Sequence, residues 1–180
     1  MPGTYRINNQ NNLYFITSTI VRWVDLFDKK IYKDIVVDSL NYCIEKKGLE
    51  VYAWVIMSNH IHLIVGSKTG KLEGIIRDFK KHTSKTIIKL LKNSVYERRD
   101  WILRIFNEDG LNNPNNLLYQ VWQQTYHAKE IFSMGFLLQK LNYIHMNPVR
   151  ASIVSEPWHY VYSSAGDYKG AKGLVDVILL

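Results

Sequence analysis

Cysteine is nearly absent from this sequence, with Cys43 the only one among 180 residues. A single thiol excludes an internal disulfide and a cysteine-based zinc site, and it fits a reducing cytosol. There is also no apolar run of roughly 18 residues and no apolar segment typical of a signal peptide near the start. We therefore expect a cytoplasmic protein that does not span a membrane.

Acidic residues are outnumbered by basic ones, with 16 Asp and Glu against 23 Lys and Arg, which gives a formal net charge of +7. This balance favours an anionic partner, and nucleic acid is the commonest. The 12 tyrosines and 5 tryptophans are suited to stacking on unpaired bases or to filling a core. The length and the 47% hydrophobic content predict one globular domain over residues 1–180.

Residue patterns predict an α+β fold. We expect strands at 13–21, 49–57, 60–65 and 119–126, and helices at 30–46, 72–92, 95–106 and 128–146, the last ended by Pro148. This order is that of the ferredoxin-like plan, a β-α-β-β-α-β antiparallel sheet with helices on one face, followed by an added C-terminal helix. The other face of the sheet would be free for nucleic acid or a partner.

The remaining segments are predicted to be irregular. Residues 1–12 read as a loose N-terminal arm and residues 107–116 as a loop. The C-terminal tail, 165–180, has an apolar end that would pack on its own core, bind a partner or fill the site.

Two of the predicted elements have apolar residues that indicate which side faces the core. In the second strand we expect one face to carry Val51, Ala53, Val55 and Met57. In the last helix we expect the mostly buried residues to be Phe132, Phe136, Leu137, Leu141 and Ile144.

His60 and His62 lie two residues apart in the apolar third strand. Alternate residues of a strand share a face, so both imidazoles would point the same way while Ile61 and Leu63 point into the opposite layer. Two neighbouring imidazoles make a ready pair of metal ligands. The competing interpretation is a pair of ordinary sheet histidines.

A stripe of four cations follows on the long helix at 72–92. Arg77, Lys81, Lys85 and Lys89 are spaced by four and stack on one face. Such a stripe is either a solvated surface or a set of contacts to DNA phosphates, and the mutual repulsion of the four charges favours phosphate contacts.

Tyr143 and Asn147 are also spaced by four, so they would share a face of the last helix. Tyr143 would otherwise merely edge the core. Asn147 precedes Pro148, which disfavours helical geometry at the residue before it, and Asn147 would then serve to end the helix.

The ordered set of motifs resembles the REP-associated tyrosine transposases, which belong to the single-tyrosine HUH transposases of the insertion-sequence type. The resemblance spans roughly residues 14–168. It is carried by Asn59-His60-Ile61-His62-Leu63-Ile64-Val65, Phe79-Lys80-Lys81-His82-Thr83-Ser84-Lys85, Trp122-Gln123-Gln124 with His127, Tyr143-Ile144 with Asn147-Pro148-Val149-Arg150, Pro157-Trp158 and Tyr162-Ser163-Ser164.

The resemblance implies a metal-assisted nuclease that cleaves and rejoins single-stranded, hairpin-bearing DNA through a 5′-phosphotyrosine. Tyr143 would be the nucleophile, and His60, His62 and Asn147 would hold Mg²⁺ or Mn²⁺. A homodimer is possible, because related insertion-sequence transposases are dimers. Two alternatives are a catalytically silent protein that only binds DNA hairpins and a ferredoxin-like RNA-binding module, although such modules display aromatic residues where this sheet would display histidines.

Overall fold

The computed structural model describes residues 7–95, 97–115, 118–124 and 126–180. Its strands and helices follow the predicted order. They are β1 (Tyr14–Thr19), α1 (Lys30–Lys47), β2 (Leu49–Ile56), β3 (His60–Ser67), α2 (Leu72–Lys92), α3 (Arg99–Leu111), β4 (His127–Glu130) and α4 (Met134–Arg150), with short 3₁₀ turns at Val21–Trp23, Leu26–Asp28, Pro157–His159 and Asp167–Lys169. Among the described residues, no helix is both long and apolar enough to cross a membrane.

The four strands form one sheet in the order β2-β3-β1-β4, and every neighbouring pair is antiparallel. This order is the ferredoxin-like topology, so the predicted fold class is confirmed. The main core lies on one face of the sheet. Ile16, Ile61, Leu63 and Val65 point into it from the strands, and α1 and α2 cover it.

The second face of the sheet is partly covered by α4, so the expectation that this face would be free was wrong. Leu137 and Ile144 of α4 are buried against Phe15, Val55 and Ile64. The alternation of apolar residues made both sheet faces apolar at their centres, and an added helix is the element available to bury the second one. The helix therefore fixes which part of this face remains open.

β2 contains a β-bulge that the alternation pattern did not predict. The pairing with β3 shifts between Val51 and Ala53, which leaves an extra residue on β2. Val51 therefore points into the main core, whereas Ala53, Val55 and Met57 lie on the α4 face. A bulge shifts the side-chain alternation by one residue, so the predicted common face for all four residues was wrong.

α3 extends through residues that were predicted to be a loop. It runs to Leu111, so 107–111 are helical, and Asn112 to Asn115 form the turn that follows. Glu108 and Asp109 are held by Arg22. Gly110 lies so close to residues 118–119 that a Cβ would meet the Tyr119 nitrogen at 2.7 Å. These tertiary contacts override the loop-forming composition. Asn116 lies outside the described residues.

The last strand and the last helix both begin later than predicted. Residues 127–130 form β4 because they pair with the free edge of β1. In the described part of the predicted strand 119–126, Trp122 forms an isolated bridge with Ile20, and Thr125 lies outside the described residues. α4 begins at Met134, where the Ser133 side chain accepts a hydrogen bond from the Phe136 backbone nitrogen. It runs to Arg150, with Pro148 inside its last turn rather than ending it.

Both terminal segments pack on the domain. Residues 1–6 of the predicted arm lie outside the described residues, but Ile7 is buried and the Asn12 amide donates to Glu130. In the tail, Val175 is buried in the main core and the Ile178 nitrogen donates to the Val51 carbonyl. Just before it, residues 162–164 pair with β2 through the bridge between Val55 and Ser163. Residues 162–164 and the tail cover the outer edge of β2, which would otherwise present unpaired backbone groups.

Candidate active site

His60 and His62 begin β3 and project from the same face of the sheet. Thr19 and Thr17 of β1 lie directly opposite them. The two imidazole centroids are 4.7 Å apart with their planes at 72°. His62 is buried and His60 is half-buried. The strand therefore produces the side-by-side histidine pair that its spacing predicted.

Hydrogen bonds orient both rings and leave one nitrogen on each available. His60 Nδ1 lies 2.8 Å from the Asn59 amide oxygen, which only accepts, so Nδ1 carries the proton and Nε2 offers a lone pair. His62 Nδ1 lies 2.8 Å from Thr17 Oγ1. His62 Nε2 is buried and has no hydrogen-bond partner. A buried polar atom without a partner is costly, and a bound ligand at that atom removes the cost.

Burial favours the neutral form of both histidines. It lowers the pKa of His60. It also lowers the pKa of His62 to about 3, with further contributions from His60 and from the Lys140 ammonium. Neutral imidazole is the form that binds a metal, so both rings are in the ligand state at neutral pH.

α4 brings Tyr143 onto this histidine pair. The Tyr143 ring lies 5.2 Å from the His62 ring and 5.9 Å from the Phe15 ring, with an edge-to-face geometry in both cases. Phe15 in turn stacks on His62 at 5.4 Å. Tyr143 nevertheless keeps 36% of its surface exposed. It therefore contacts the site and remains accessible, rather than completing the core.

Asn147 lies one helical turn after Tyr143. It remains helical although Pro148 follows it, since α4 continues through Pro148 to Arg150, and its amide nitrogen donates to the Tyr143 carbonyl at 3.2 Å. This bond leaves the amide oxygen as the free end of the side chain. The predicted departure of Asn147 from helical geometry was therefore wrong, and the shared face of Tyr143 and Asn147 was right.

The donor atoms of this site fit a divalent cation. Two neutral imidazoles supply nitrogen ligands, and the unpartnered His62 Nε2 is the observation that favours a ligand there. Mg²⁺ and Mn²⁺ also need oxygen ligands. The described residues contain no group of three His, Cys, Asp or Glu side chains able to hold a metal. Oxygen ligands for such an ion would therefore have to come from other donors, such as the Asn147 amide or a substrate phosphate.

Two cations beside Tyr143 were missed in the sequence. Lys140 Nζ lies 5.5 Å from the centre of the Tyr143 ring, and the Arg150 guanidinium lies 5.6 Å from it. Positions 140, 143, 147 and 150 are spaced by three, four and three, which places them on one face of a helix. That spacing was a signal that could have identified both cations. Lys129 of β4, on the same sheet face as Phe15, adds a third positive charge.

The predicted cation stripe lies elsewhere. Arg77, Lys81, Lys85 and Lys89 are all exposed, as expected, but α2 packs on the sheet face opposite the histidines. Lys81 and Lys85 line a cleft between α1 and α2. The structure therefore does not bring the stripe together with His60, His62 and Tyr143.

Other residues of the predicted motifs have structural contacts. The Trp122 indole is buried and donates to Thr83 Oγ1 at 2.9 Å, and the Gln123 carbonyl accepts from Lys80 Nζ at 2.9 Å. His145 is hydrogen-bonded to Ser164 Oγ, and its burial lowers its pKa to about 4. His127 is exposed at the start of β4, opposite Thr17.

The fold and the site can be compared with known proteins. A solved structure of a REP-associated tyrosine transposase bound to a REP hairpin matches with a TM-score of 0.66 and 15% sequence identity, covering 99% of this chain and 92% of that chain. At this identity the match establishes the shared fold. A search of curated proteins finds no match. The family model for IS200-like transposases matches residues 11–108, which is more than half of the sequence and includes both histidines. The chain therefore belongs to the IS200-like transposase family.

Proposed function

We propose that this protein is a metal-dependent tyrosine transposase that cleaves and rejoins single-stranded DNA through a covalent 5′-phosphotyrosine at Tyr143. Membership of the IS200-like transposase family supports an action on DNA. The observation that carries the chemistry is the contact between the exposed Tyr143 and the buried His62, whose Nε2 has no partner. The proposed nucleophile thus lies beside the proposed metal ligands.

His60, His62 and the Asn147 amide oxygen are the residues that would hold Mg²⁺ or Mn²⁺. Bound there, such an ion would polarise the scissile phosphate and offset its charge. Thr17 and Asn59 orient the two imidazoles through their Nδ1 atoms, as partners behind metal ligands commonly do. On this proposal the chain supplies both the ligand atoms and the groups that orient them.

The Tyr143 hydroxyl oxygen would attack the phosphorus of one phosphodiester. The new bond joins Tyr143 to the 5′-phosphate of the downstream strand, and the bond from phosphorus to the 3′-oxygen breaks. The phenol proton passes to solvent, and the departing oxygen takes up a proton to become a 3′-hydroxyl. Lys140 and Arg150, both close to the Tyr143 ring, would hold the phosphate through its negative charge.

The covalent intermediate accounts for rejoining. A phenol is a better leaving group than an alkyl alcohol, so a 3′-hydroxyl can displace Tyr143 from the phosphate and re-form a phosphodiester without ATP. The same residues serve both directions. A hydrolase would instead transfer the phosphate to water, leaving a free 5′-phosphate. No phosphotyrosine bond would then remain to drive strand transfer.

Single-stranded DNA carrying a hairpin or palindromic repeat is the proposed substrate. The structural match to a protein bound to a REP hairpin and the chain's net charge of +7 support this class of ligand. The open part of the α4 face, where Lys140 and Arg150 lie beside Tyr143 and Lys129 lies opposite Phe15, is the proposed path of the strand. We now assign the phosphate contacts next to the cleaved bond to these cations, and any contacts from Arg77, Lys81, Lys85 and Lys89 to more distant DNA.

The test is a covalent adduct. A hairpin oligonucleotide labelled at either end is incubated with the protein and Mn²⁺, then resolved on a denaturing gel. A 5′-phosphotyrosine predicts that the 3′ label migrates with the protein while the 5′ label appears on a shortened free strand. Tyr143→Phe should remove both products and still bind the hairpin.

Controls separate the competing functions. Tyr160→Phe, a change to a tyrosine whose hydroxyl donates to the Ile56 carbonyl, should leave the adduct intact. Binding of the hairpin without an adduct in Mn²⁺ or Mg²⁺ would favour a catalytically silent hairpin-binding protein. Equal competition by a single-stranded RNA without a hairpin would favour an RNA-binding module.

A further inference from the structure

Trp23 is a large exposed side chain beside the histidine pair. Trp23 is the last residue of the turn Val21–Trp23, which follows β1, and 60% of the residue's surface is exposed. The ring centroid lies 6.3 Å from that of His60, with the planes at 72°. Single exposed hydrophobic residues are common on protein surfaces. Trp23 is unusual because its exposed position depends on a strained backbone conformation.

Arg22 and Trp23 both have left-handed backbone conformations, with φ of 49° and 55°. Residues with a Cβ rarely adopt this region, and two in succession persist only where surrounding contacts enforce them. Arg22 is fixed from one side by two ion pairs to Glu108 and Asp109 of α3. The turn directs the indole outward although Val21 before it and Val24 after it are buried.

Asn59 fixes the turn from the other side and links it to the site. Its amide nitrogen donates to the Trp23 carbonyl at 3.3 Å and to Asp25 Oδ1 at 2.8 Å. Its amide oxygen accepts from His60 Nδ1 at 2.8 Å. One side chain therefore sets both the ring orientation of His60 and the backbone position of Trp23. The position of the indole is therefore coupled to that of His60 through Asn59.

The chemistry of this position suits a nucleobase. An indole offers a flat apolar ring and a single N–H donor, so it is a poor phosphate ligand and a good stacking partner for an unpaired base. On the other side of the histidine contacts, which run from Trp23 through His60 and His62 to Tyr143, α4 carries Lys140 and Arg150, whose positive charges suit the backbone of the same strand. A base bound on Trp23 would lie next to the phosphate that reaches His60 and His62.

We propose that Trp23 is a stacking platform for one unpaired base next to the phosphate at which Tyr143 reacts. This inference rests on the proposed function and assigns a base-binding subsite to it. Stacking on the indole would position the nucleotide beside the scissile bond. The contact would be tolerant of base identity, since every base has a flat face.

Trp23→Gly is the sharpest variant, because glycine accepts the left-handed conformation without strain. The change removes the indole, and we expect the melting temperature to stay the same or rise. Binding of a single-stranded hairpin oligonucleotide should weaken about tenfold, as expected for the loss of one stacked base. Trp101→Ala is the matched control, since Trp101 is an exposed tryptophan on α3 that contacts Arg98. It should leave hairpin binding unchanged.

A scan with abasic nucleotides identifies the stacked base. Each unpaired position of the oligonucleotide is made abasic in turn, and binding is measured for Trp23, Trp23→Phe and Trp23→Gly in a Tyr143→Phe background that prevents cleavage. At one position the abasic change should weaken binding by the protein that keeps Trp23 and should not weaken binding by Trp23→Gly. The loss of affinity in Trp23→Phe should be intermediate. This non-additive position should flank the cleavage site mapped with the unmodified protein.

The inference and the proposed function fail in different ways. If the unmodified protein forms the adduct but the Trp23→Gly and abasic effects add at every position, the stacking inference is overturned and the proposed function is not. A changed sedimentation coefficient in Trp23→Gly, with unchanged DNA binding, would overturn it in favour of a protein contact. If the unmodified protein neither binds nor cleaves the oligonucleotide, both fail together.

Discussion

The Tyr143 ring lies edge-to-face against the His62 imidazole, with the ring centroids 5.2 Å apart and the planes at 71°. These residues are 81 positions apart in the sequence. The contact exists because α4 crosses the sheet face from which β3 projects its histidines. It joins the candidate nucleophile to the candidate metal ligands in one place, and the proposed chemistry follows from that juxtaposition.

Metal binding should depend on the histidine pair. In isothermal titration calorimetry, the protein should bind Mn²⁺, and His62→Ala combined with His60→Ala should abolish the binding heat because both imidazole ligands are lost. His82→Ala is a matched control, since His82 is exposed on α2. Mn²⁺ should also raise the melting temperature of the unmodified protein, because a ligand bound by the folded state stabilises it, and should not raise that of the double variant.

Asn147 should contribute the oxygen ligand from α4. Asn147→Ala should weaken Mn²⁺ binding about tenfold while Asn147→Asp restores it, because a carboxylate is also an oxygen ligand. The melting temperature without metal serves as the folding control, since Asn147 is only half-buried and its one bond to the Tyr143 carbonyl lies within the helix. Equal Mn²⁺ affinities for Asn147→Ala and the unmodified protein would remove Asn147 from the ligand set.

Lys140 and Arg150 should contact phosphate near the cleaved bond, whereas Lys81 and Lys85 should not. Lys140→Gln and Arg150→Gln should each reduce the rate of adduct formation and lower the salt slope of hairpin binding by about 0.7. The double variant Lys81→Gln with Lys85→Gln removes two charges from α2 and should leave the adduct rate unchanged at saturating DNA. A larger rate loss in the α2 variant than in Lys140→Gln or Arg150→Gln would show that the α2 cations contact the DNA at the cleaved bond.

Lys80 gives a prediction about pH and stability. Burial lowers its pKa to about 8, while the unfolded chain should titrate near the ordinary value of 10.5. The unfolded state therefore binds more protons between these values, and stability should rise with pH. From about pH 7.5 to about pH 9.5, the unfolding free energy of the unmodified protein should gain about 2 kcal/mol relative to Lys80→Met. Parallel pH profiles in urea unfolding would show that Lys80 keeps its ordinary pKa.

The sequence predicted the sheet because its strand signals are local. Aromatic and β-branched runs marked β1, β2 and β3, and helical periodicity marked α2 with both of its bounds correct. The motif order then identified the family. Gly48, with φ of 72°, ends α1 immediately after Lys47, as the Lys-Lys-Gly signal indicated. These features depend on neighbouring residues in the chain.

What the sequence did not give depends on tertiary contacts. β4 exists because residues 127–130 pair with the edge of β1, and its own composition has little strand signal. α3 continues through Asp109 because Arg22, far away in the sequence, holds that carboxylate. The helical spacing of Lys140 from Tyr143 was present in the sequence, but its meaning depended on the contact between α4 and His62. Within the site, the histidine spacing and the helical spacing of Lys140 and Arg150 were present in the sequence, while the position of Trp23 required the fold.

The most direct measurement of the central claim identifies the residue that carries the DNA. The covalent adduct formed with Mn²⁺ is digested with nuclease and protease, and the peptides are sequenced by mass spectrometry. The proposed mechanism predicts one modified peptide, with a nucleotide attached through phosphate to the Tyr143 oxygen. A nucleotide on any other residue, or cleavage of the hairpin to free 3′-hydroxyl and 5′-phosphate ends with no modified peptide, would contradict it.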